Sequence, residues 1–235
     1  METAVLIGGG AVVAAAFLGS GLWLFWRHYW FWRNPPRVVP AGEHFVSPAD
    51  GTIVYAKRAE PQQPIVVCKQ GRAASINDIA REELDMPRIL IGIFMSPFSV
   101  HYNRAPMAGT VAYKKHYPAE GRNHYMMSMH WRCLVRRLPI HGNSPHILQN
   151  NRAVTRFHGR LCEQAVSCYV VQIGGGAVDG IDVFPEVGQS VTQGEVFGMI
   201  RIGSQVDLIA PDLPGLQVRV KPGDRVVAGE TILIA

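Results

Sequence analysis

GQSVTQGEV, at residues 188–196, recurs 35 residues downstream as GDRVVAGET, at residues 223–231. Each copy contains two glycines six residues apart around a short run with valine, a pattern typical of a turn between strands. A second pair lies upstream, where PADGTIV at residues 48–54 resembles PMAGTVA at residues 106–112. In both members of that pair a small turn leads into an alternating strand. The two pairs predict hairpins that occur twice in the body of the protein.

The composition of the body also favours strands and turns. The chain has 235 residues, with 24 glycines, 16 prolines and a hydrophobic fraction of 48%. Valine, isoleucine and threonine occur in short runs, which favours strands over long helices beyond the N-terminal segment. The glycine-bounded turns resemble those of biotinyl and lipoyl domains, and this resemblance implies a barrel-sandwich hybrid. We therefore expect a mainly β (α+β) domain of this type at residues 45–235.

Several kinds of site are not expected. The four cysteines include no Cys-x-x-Cys pair, so neither a zinc ribbon nor a redox motif is indicated. The net charge is +5, without a basic run that contains interleaved aromatics, so no nucleic acid is expected and an anionic membrane surface is the favoured partner. The triple glycine at residues 174–176 lacks the Lys-Ser/Thr of a phosphate-binding loop, which favours a tight strand connection.

Residues 1–33 predict a membrane anchor. The stretch Thr3–Trp26 has no charged residue and exceeds the roughly 20 residues that a helix needs to cross a bilayer. Aromatic residues crowd its far end and are followed by arginines at positions 27, 33 and 37. This order predicts that the body of the protein lies on the cytoplasmic side of the inner membrane, after a proline-rich connector at residues 34–44. A cleaved signal peptide is the alternative, but it would carry positive charge before the apolar run.

A Gly203-Ser204 pair interrupts an apolar strand pattern near the C-terminus. Glycine allows close approach to a backbone carbonyl, and the following serine hydroxyl can attack that carbonyl and convert the amide to an ester. Elimination and hydrolysis would then leave a pyruvoyl group on a new amino terminus. A β-bulge or turn is the simpler interpretation of the pair taken alone.

Four motifs favour the reactive interpretation: FWRNP at 31–35, SPADG at 47–51, VHYNRAP at 100–106, and the run from 197 through Gly203-Ser204 to 207. In order and spacing they make the chain similar to the phosphatidylserine decarboxylase family, especially its short forms. The resemblance implies self-cleavage into a β chain, residues 1–203, and an α chain, residues 204–235, that begins with pyruvoyl. It also implies that the protein converts membrane phosphatidylserine to phosphatidylethanolamine, with the pyruvoyl carbonyl as the electron sink.

The same resemblance implies roles for individual side chains. His101 matches the family histidine that contacts substrate and protonates the decarboxylated product, and Asp50 matches the aspartate that helps a histidine to activate Ser204. In longer members the activating histidine lies three residues further on, where this chain has Arg104, which cannot act as a base. The base is then His101, Asp50 or a histidine from elsewhere such as His158, and we favour His101 with Asp50. Arg104 could instead hold the lipid phosphate or carboxylate, with His158 as a second candidate contact.

The segment at residues 116–146 contains five histidines, with spacings of 8, 6, 11 and 5. These spacings contain no His-x-x-x-His or His-Glu-x-x-His pattern, so no metal site is predicted. Methionine and aromatic residues between the histidines predict a flap that faces the membrane or covers the substrate. The run at residues 150–152 resembles a family Asn-Glu-Arg motif with asparagine in place of the acid.

Two other functions remain open. The chain could be an uncleaved, degenerate member of the family, given Arg104 and Asn151. It could also be a membrane-anchored adaptor of the lipoyl type without enzymatic activity, although adaptors of this kind place the body outside the cytoplasm, opposite to the arginine pattern. The sequence is compatible with a homodimer and does not distinguish one lipid tail from another.

Overall fold

The computed structural model describes residues 15–69, 72–142, 144–176, 180–201 and 203–235. The chain forms two compact units, which divide between Pro35 and Pro36. In the first unit, residues 15–25 form helix α1, which continues as a π-helical turn at Trp26–Trp30. No helix in the described ranges is long and apolar enough to span a membrane. Residues 1–14 of the predicted anchor lie outside the described residues.

The second unit is built mainly from antiparallel strands, which confirms the predicted mainly β class. Its strands are β1 (Phe45–Val46), β2 (Gly51–Ala59), β3 (Val66–Lys69), β4 (Arg72–Ala74), β5 (Arg88–Met95), β6 (Tyr102–Arg104), β7 (Gly109–Tyr117), β8 (Arg152–Leu161), β9 (Gln164–Gly174), β10 (Ile181–Val183), β11 (Ser190–Val191), β12 (Val196–Ile200), β13 (Ser204–Pro211), β14 (Arg225–Val226) and β15 (Ile232–Ile234). The helices are α2 (Ile76–Ala80), α3 (Met127–Leu134) and α4 (His146–Gln149).

One eight-stranded sheet organises this unit, with the order β11-β7-β8-β9-β13-β5-β2-β14. A three-stranded sheet, β10-β12-β6, lies beside it, and β1-β15 and β3-β4 form pairs. Strand β5 is buried along its whole length because its alternate side chains enter two different hydrophobic cores. Ile91 and Ile93 enter one core, whereas Leu90 and Phe94 enter the other. Burial on both faces explains the continuous apolar sequence of this strand.

The predicted repeat is present at the two edges of the large sheet. At one edge Ser190 of β11 pairs with Thr110 of β7, and at the other Arg225 of β14 pairs with Thr52 of β2. Gly194 and its counterpart Gly229 share a φ of 77°, a left-handed conformation that glycine adopts without strain. The matching register confirms that the unit occurs twice. The predicted hairpins are wrong, because each turn joins strands of different sheets, β11 to β12 and β14 to β15. The barrel-sandwich assignment remains a prediction.

Candidate active site

The Gly203-Ser204 pair lies where the chain passes from one sheet to the other. Strand β12 ends at Ile200 in the three-stranded sheet, and β13 begins at Ser204 in the eight-stranded sheet. Gly203 has a φ of 57°, in the left-handed region where side chains with a Cβ are strained. The predicted interruption of the strand is therefore confirmed, and it is a change of sheet with a left-handed residue directly before the serine.

Ser204 is fully buried between two neighbouring strands. It pairs with Met95 of β5 on one side and with Gly174 of β9 on the other. Its hydroxyl donates a hydrogen bond to the Met95 sulfur at 3.4 Å. No titratable side chain in the described part of the chain makes a hydrogen bond to this hydroxyl. The structure thus places the predicted nucleophile against a weak acceptor, and a base has to reach it by rearrangement or through water.

A glycine that sequence reasoning assigned only to a strand connection contacts the predicted cleavage site. A Cβ atom added to Gly175 would overlap the backbone carbonyl oxygen of Gly203. That carbonyl belongs to the bond that the Ser204 hydroxyl would attack. Gly175 therefore permits the backbone position of the predicted scissile group, and the triple glycine after a long apolar strand was the available signal.

His101 lies close to the same turn. It is fully buried and is the last residue of the loop that connects β5 to β6. Its backbone carbonyl accepts a hydrogen bond from the Ile200 amide at 3.2 Å, only three residues before Gly203. This hydrogen bond joins the loop that follows Met95 to the turn that precedes Ser204. His101 therefore lies at the end of the large sheet where Ser204 begins β13.

Asp50 has other partners. Its carboxylate accepts hydrogen bonds from the Arg37 guanidinium at 2.9 Å and from the Ala228 amide at 2.7 Å. Neither Ser204 nor His101 is among the hydrogen-bond partners that the described residues give to this carboxylate. Strands β2 and β13 flank β5, so Asp50 lies two strand spacings from Ser204, roughly 10 Å. In this conformation the carboxylate holds the β14 turn in place and does not contact the serine.

Arg104 occupies the same neighbourhood as Asp50. Its guanidinium donates a hydrogen bond to the Gly194 carbonyl at 2.8 Å. Burial and the nearby Arg37 lower the pKa of Arg104, and the carboxylates of Asp50 and Glu230 oppose that shift. Arg104 is thus a partly buried cation among a second cation, which is paired with Asp50, and two carboxylates. A guanidinium can also bind an anionic ligand by paired hydrogen bonds.

His158 is not brought to the predicted site, which corrects its candidacy as base or substrate contact. Its ring Nδ1 lies 3.1 Å from the Ser167 hydroxyl, and the two residues are paired across β8 and β9. Ser167 lies seven residues along β9 from Gly174, the partner of Ser204, which corresponds to roughly 24 Å. The sequence identified a histidine but could not show at which level of the sheet its strand places it.

Two buried amides near Ser204 were missed. Gln172 donates a hydrogen bond to the Asn103 side-chain oxygen at 2.8 Å, and the Asn103 amide nitrogen lies 3.7 Å from the Met95 sulfur. Met95 therefore contacts both Asn103 and the Ser204 hydroxyl. The side-chain oxygen of Gln172 is buried and has no hydrogen-bond partner within the described ranges. Buried amides of this kind can orient a polar headgroup.

The opposite face of β13 carries a second polar network. Gln205 donates to the Tyr55 hydroxyl oxygen and to the Asp207 carboxylate, both at 2.7 Å. Tyr55 donates to the other Asp207 oxygen at 2.7 Å, and the His146 Nε2 lies 3.0 Å from the Gln205 side-chain oxygen. All of these groups are buried, so the network fixes the strand directly after the predicted cleavage site.

Burial shifts the pKa values in this second network. Burial raises the pKa of Asp207 to about 6, against the hydrogen bonds from Tyr55 and Gln205 and the charge of Arg152. Burial also lowers the pKa of His146 to about 4 and that of Arg152 to about 10. Among the described residues, no group of three or more His, Cys, Asp or Glu side chains is arranged to hold a metal ion.

We expect Asp207→Asn to change how stability depends on pH. Between pH 4 and 6 the folded protein holds a proton on Asp207 that the unfolded chain releases, so this group lowers the free energy of unfolding as the pH rises. Asparagine lacks this term. The free energy of unfolding of the variant minus that of the parent should therefore rise by about 2 kcal/mol between pH 4 and 7.

Urea titrations at several pH values measure this difference, with Ser204 replaced by alanine in both proteins to keep one chain. His146 has a lowered pKa and contributes the opposite slope, but it is present in both proteins and cancels. A difference that stays constant over this range would mean that the Asp207 carboxyl titrates normally.

Comparison with known proteins gives a consistent result. A family model described as phosphatidylserine decarboxylase matches residues 24–234. A phosphatidylserine decarboxylase proenzyme of Symbiobacterium thermophilum is 32% identical over 95% of this chain and 90% of the relative. That of Streptomyces coelicolor is 33% identical over 93% of this chain and 75% of the relative. A protein of Methanopyrus kandleri, provisionally named archaetidylserine decarboxylase proenzyme, is 36% identical over 87% and 79%. The chain therefore belongs to the phosphatidylserine decarboxylase family.

Proposed function

We propose that this protein decarboxylates phosphatidylserine to phosphatidylethanolamine after it has cut itself between Gly203 and Ser204. The observation that carries the proposal is the geometry of this bond. A serine that matches the family motif is buried at the start of a strand, directly after a left-handed glycine. The carbonyl before it is packed against Gly175, whose lack of a Cβ allows that packing.

The proposed cut consumes only groups of the chain and water. The Ser204 oxygen attacks the Gly203 carbonyl carbon and replaces the amide nitrogen, which gives an ester. Loss of the Ser204 Cα proton then expels the Gly203 carboxylate. Water hydrolyses the group that still carries the Ser204 nitrogen, the nitrogen leaves as ammonia, and a pyruvoyl group remains at position 204. His101 with Asp50 stays our prediction for the activating pair, and for Asp50 this requires movement from its present partners, Arg37 and Ala228.

The sheet would hold both products together. The α chain would comprise residues 204–235, which contain β13, β14 and β15. Strand β13 lies between β5 and β9, while β14 pairs with β2 and β15 with β1. The proposed fragment therefore keeps hydrogen bonds to four strands of the β chain without a covalent link.

A pyruvoyl group at position 204 would supply an electrophilic carbonyl that withdraws electrons from the bond to the departing carboxylate. His101, which lies at the same end of the sheet, would donate a proton to the decarboxylated headgroup. The amides of Asn103 and Gln172 lie on the same face as Ser204 and would orient the polar headgroup. Arg104 is our candidate for the lipid phosphate or carboxylate, supported by its position beside a second cation.

The membrane assignments are part of the same proposal. We infer that residues 1–33 anchor the chain in the inner membrane with the body on the cytoplasmic side, which the arginines after Trp26 support. We also infer that the protein binds an anionic membrane surface and that a second copy of the chain is a further partner. The barrel-sandwich architecture of the body is a separate part of the proposal. The names of the relatives specify two lipids, phosphatidylserine and archaetidylserine, and both names contain serine. This supports serine as the headgroup that is recognised.

Intact mass measurement of the purified protein, with a denaturing gel, tests the cut. We expect two chains, the smaller being the 32 residues from position 204 to 235 with a blocked amino terminus. A single unbroken chain would overturn the proposal in favour of a degenerate, uncleaved family member, the second candidate that Arg104 and Asn151 suggest.

A further inference from the structure

Helix α3 and the residues around it expose a group of large apolar side chains. Met127, Trp131 and Leu134 follow each other at helical spacing on one face and are 71%, 62% and 65% exposed. Tyr125 and Leu138 flank the helix and are exposed to a similar extent. We call these five residues the α3 patch. The helix is fixed from its other side, because Met126 and Met129 are buried in the core.

The charges around the α3 patch have one sign. Residues 121–149 contain arginines at positions 122, 132, 136 and 137 and no aspartate or glutamate. Arg136 and Leu138 also line a surface groove with Lys221 and Arg225, in which Asp224 is the acidic member. Apolar and aromatic side chains bordered by cations are typical of elements that lie in the interface of an anionic bilayer.

The α3 patch adjoins the predicted cleavage site. A Cβ atom at Gly175 would lie 4.0 Å from Met126, directly before the helix, and the same Cβ would overlap the carbonyl of Gly203. His130 of the helix packs beside Phe94, with ring centroids 6.1 Å apart, and Phe94 pairs with Gln205. Helix α3 is therefore at the end of the sheet where Ser204 lies, and it carries the exposed residues of the α3 patch there.

We propose that the α3 patch docks on an anionic phospholipid bilayer, with Met127, Trp131 and Leu134 in the headgroup region and Arg136 and Arg137 at the lipid phosphates. Docking at this place presents the Ser204 end of the sheet to the plane of the headgroups, so a serine lipid reaches the site without leaving the bilayer. The inference deepens the proposed function and rests on it only for the identity of the substrate. If a protein covered the α3 patch instead of a bilayer, it would have to place acidic groups beside Arg136 and Arg137. A second copy of this patch has no acidic residue to offer, so a bilayer is the favoured occupant.

The depth of Trp131 in a bilayer tests docking without any reaction. The full chain is reconstituted in phosphatidylcholine vesicles with or without phosphatidylglycerol, some lipids carrying bromine in the upper acyl chain as a quencher. Trp131 is the only tryptophan after residue 32, so subtracting the signal of a Trp131→Phe chain isolates it from the four in the N-terminal segment. We expect quenching of Trp131 in vesicles with phosphatidylglycerol, and weaker quenching in Arg136→Ala/Arg137→Ala.

Absence of quenching, or equal quenching without the anionic lipid, would overturn the proposal. Burial of Trp131 that depends on protein concentration would do so as well, because it would assign the patch to a second copy. These vesicles contain no serine lipid, so a chain that neither cuts itself nor decarboxylates still gives a clear docking result.

A matched pair of variants connects docking to turnover. Leu134→Ser should raise the apparent KM for vesicle phosphatidylserine about tenfold and leave turnover of a short-chain, monomeric phosphatidylserine unchanged. Met86→Ser is the control, because Met86 is 42% exposed but precedes β5 at the end opposite to Met95. Equal effects of the two substitutions would contradict a specific role of the α3 patch.

Discussion

A Ser204→Ala chain is expected to remain one polypeptide of 235 residues and to release no carbon dioxide from phosphatidylserine. Alanine removes the hydroxyl oxygen that is proposed to attack the Gly203 carbonyl, and with it the source of the pyruvoyl group. The substitution is small for the fold, since within the described part of the chain the hydroxyl donates to the weak acceptor Met95 sulfur. Intact mass and release of carbon dioxide from carboxyl-labelled lipid measure the two outcomes.

Ser190→Ala is the matched control, because Ser190 lies on an exposed position of β11 at the edge of the same sheet. This variant should be cut and should turn over substrate like the parent. Carbon dioxide release by an uncut Ser204→Ala chain would show that the electron sink comes from another group.

Gly175→Ala is expected to slow self-cleavage at least about a hundredfold, because small displacements of reacting groups have effects of that size. The added methyl group would overlap the carbonyl oxygen of Gly203, so the carbonyl must move from its position before the serine. Cell-free synthesis followed by a chase, with the fragment quantified over time, measures the rate directly. Far-ultraviolet circular dichroism of the uncut chain checks that the sheet has formed.

Gly176→Ala provides the comparison. A Cβ at that position has its nearest contacts with the ring of Tyr125, a side chain that is 71% exposed, and not with the Gly203 carbonyl. We expect the Gly176→Ala chain to cleave itself at nearly the rate of the parent. If both alanine variants are processed normally, the close contact of Gly175 with the scissile carbonyl has no part in the reaction.

Local sequence patterns predict much of this fold. The paired glycine-rich stretches predict a repeated turn between strands, and the apolar run at β5 predicts a buried strand, because both depend on neighbouring residues only. That the repeats lie at the two edges of one sheet appears only in the structure. The break at Gly203-Ser204 is also local. The motif around His101 predicts its place near Ser204 through the family resemblance, and the structure brings it to the same turn.

Other features depend on contacts between distant residues, which one sequence does not reveal. Gln205 and Tyr55 are 150 residues apart and meet only because β2 and β13 flank β5. Gly175 looks like any glycine in a turn until the sheet places Gly203 beside it. His158 illustrates the reverse case. Its residue type suits catalysis, but its position along β8, opposite Ser167, is far from the end of the sheet where Ser204 lies.

The position of β13 in the middle of the large sheet determines the order in which folding and the proposed self-cleavage can occur. The proposed fragment provides a central strand with neighbours on both sides, so the sheet cannot be completed without it. While the chain is whole, the segment before it keeps this strand at a high effective concentration near its partners. Once the cut is made, recovery from denaturation becomes an encounter between two molecules, limited by dilution. If the proposed cut occurs, the sheet has to form before the protein becomes active, and a processed molecule that unfolds would refold more slowly the more dilute the solution is.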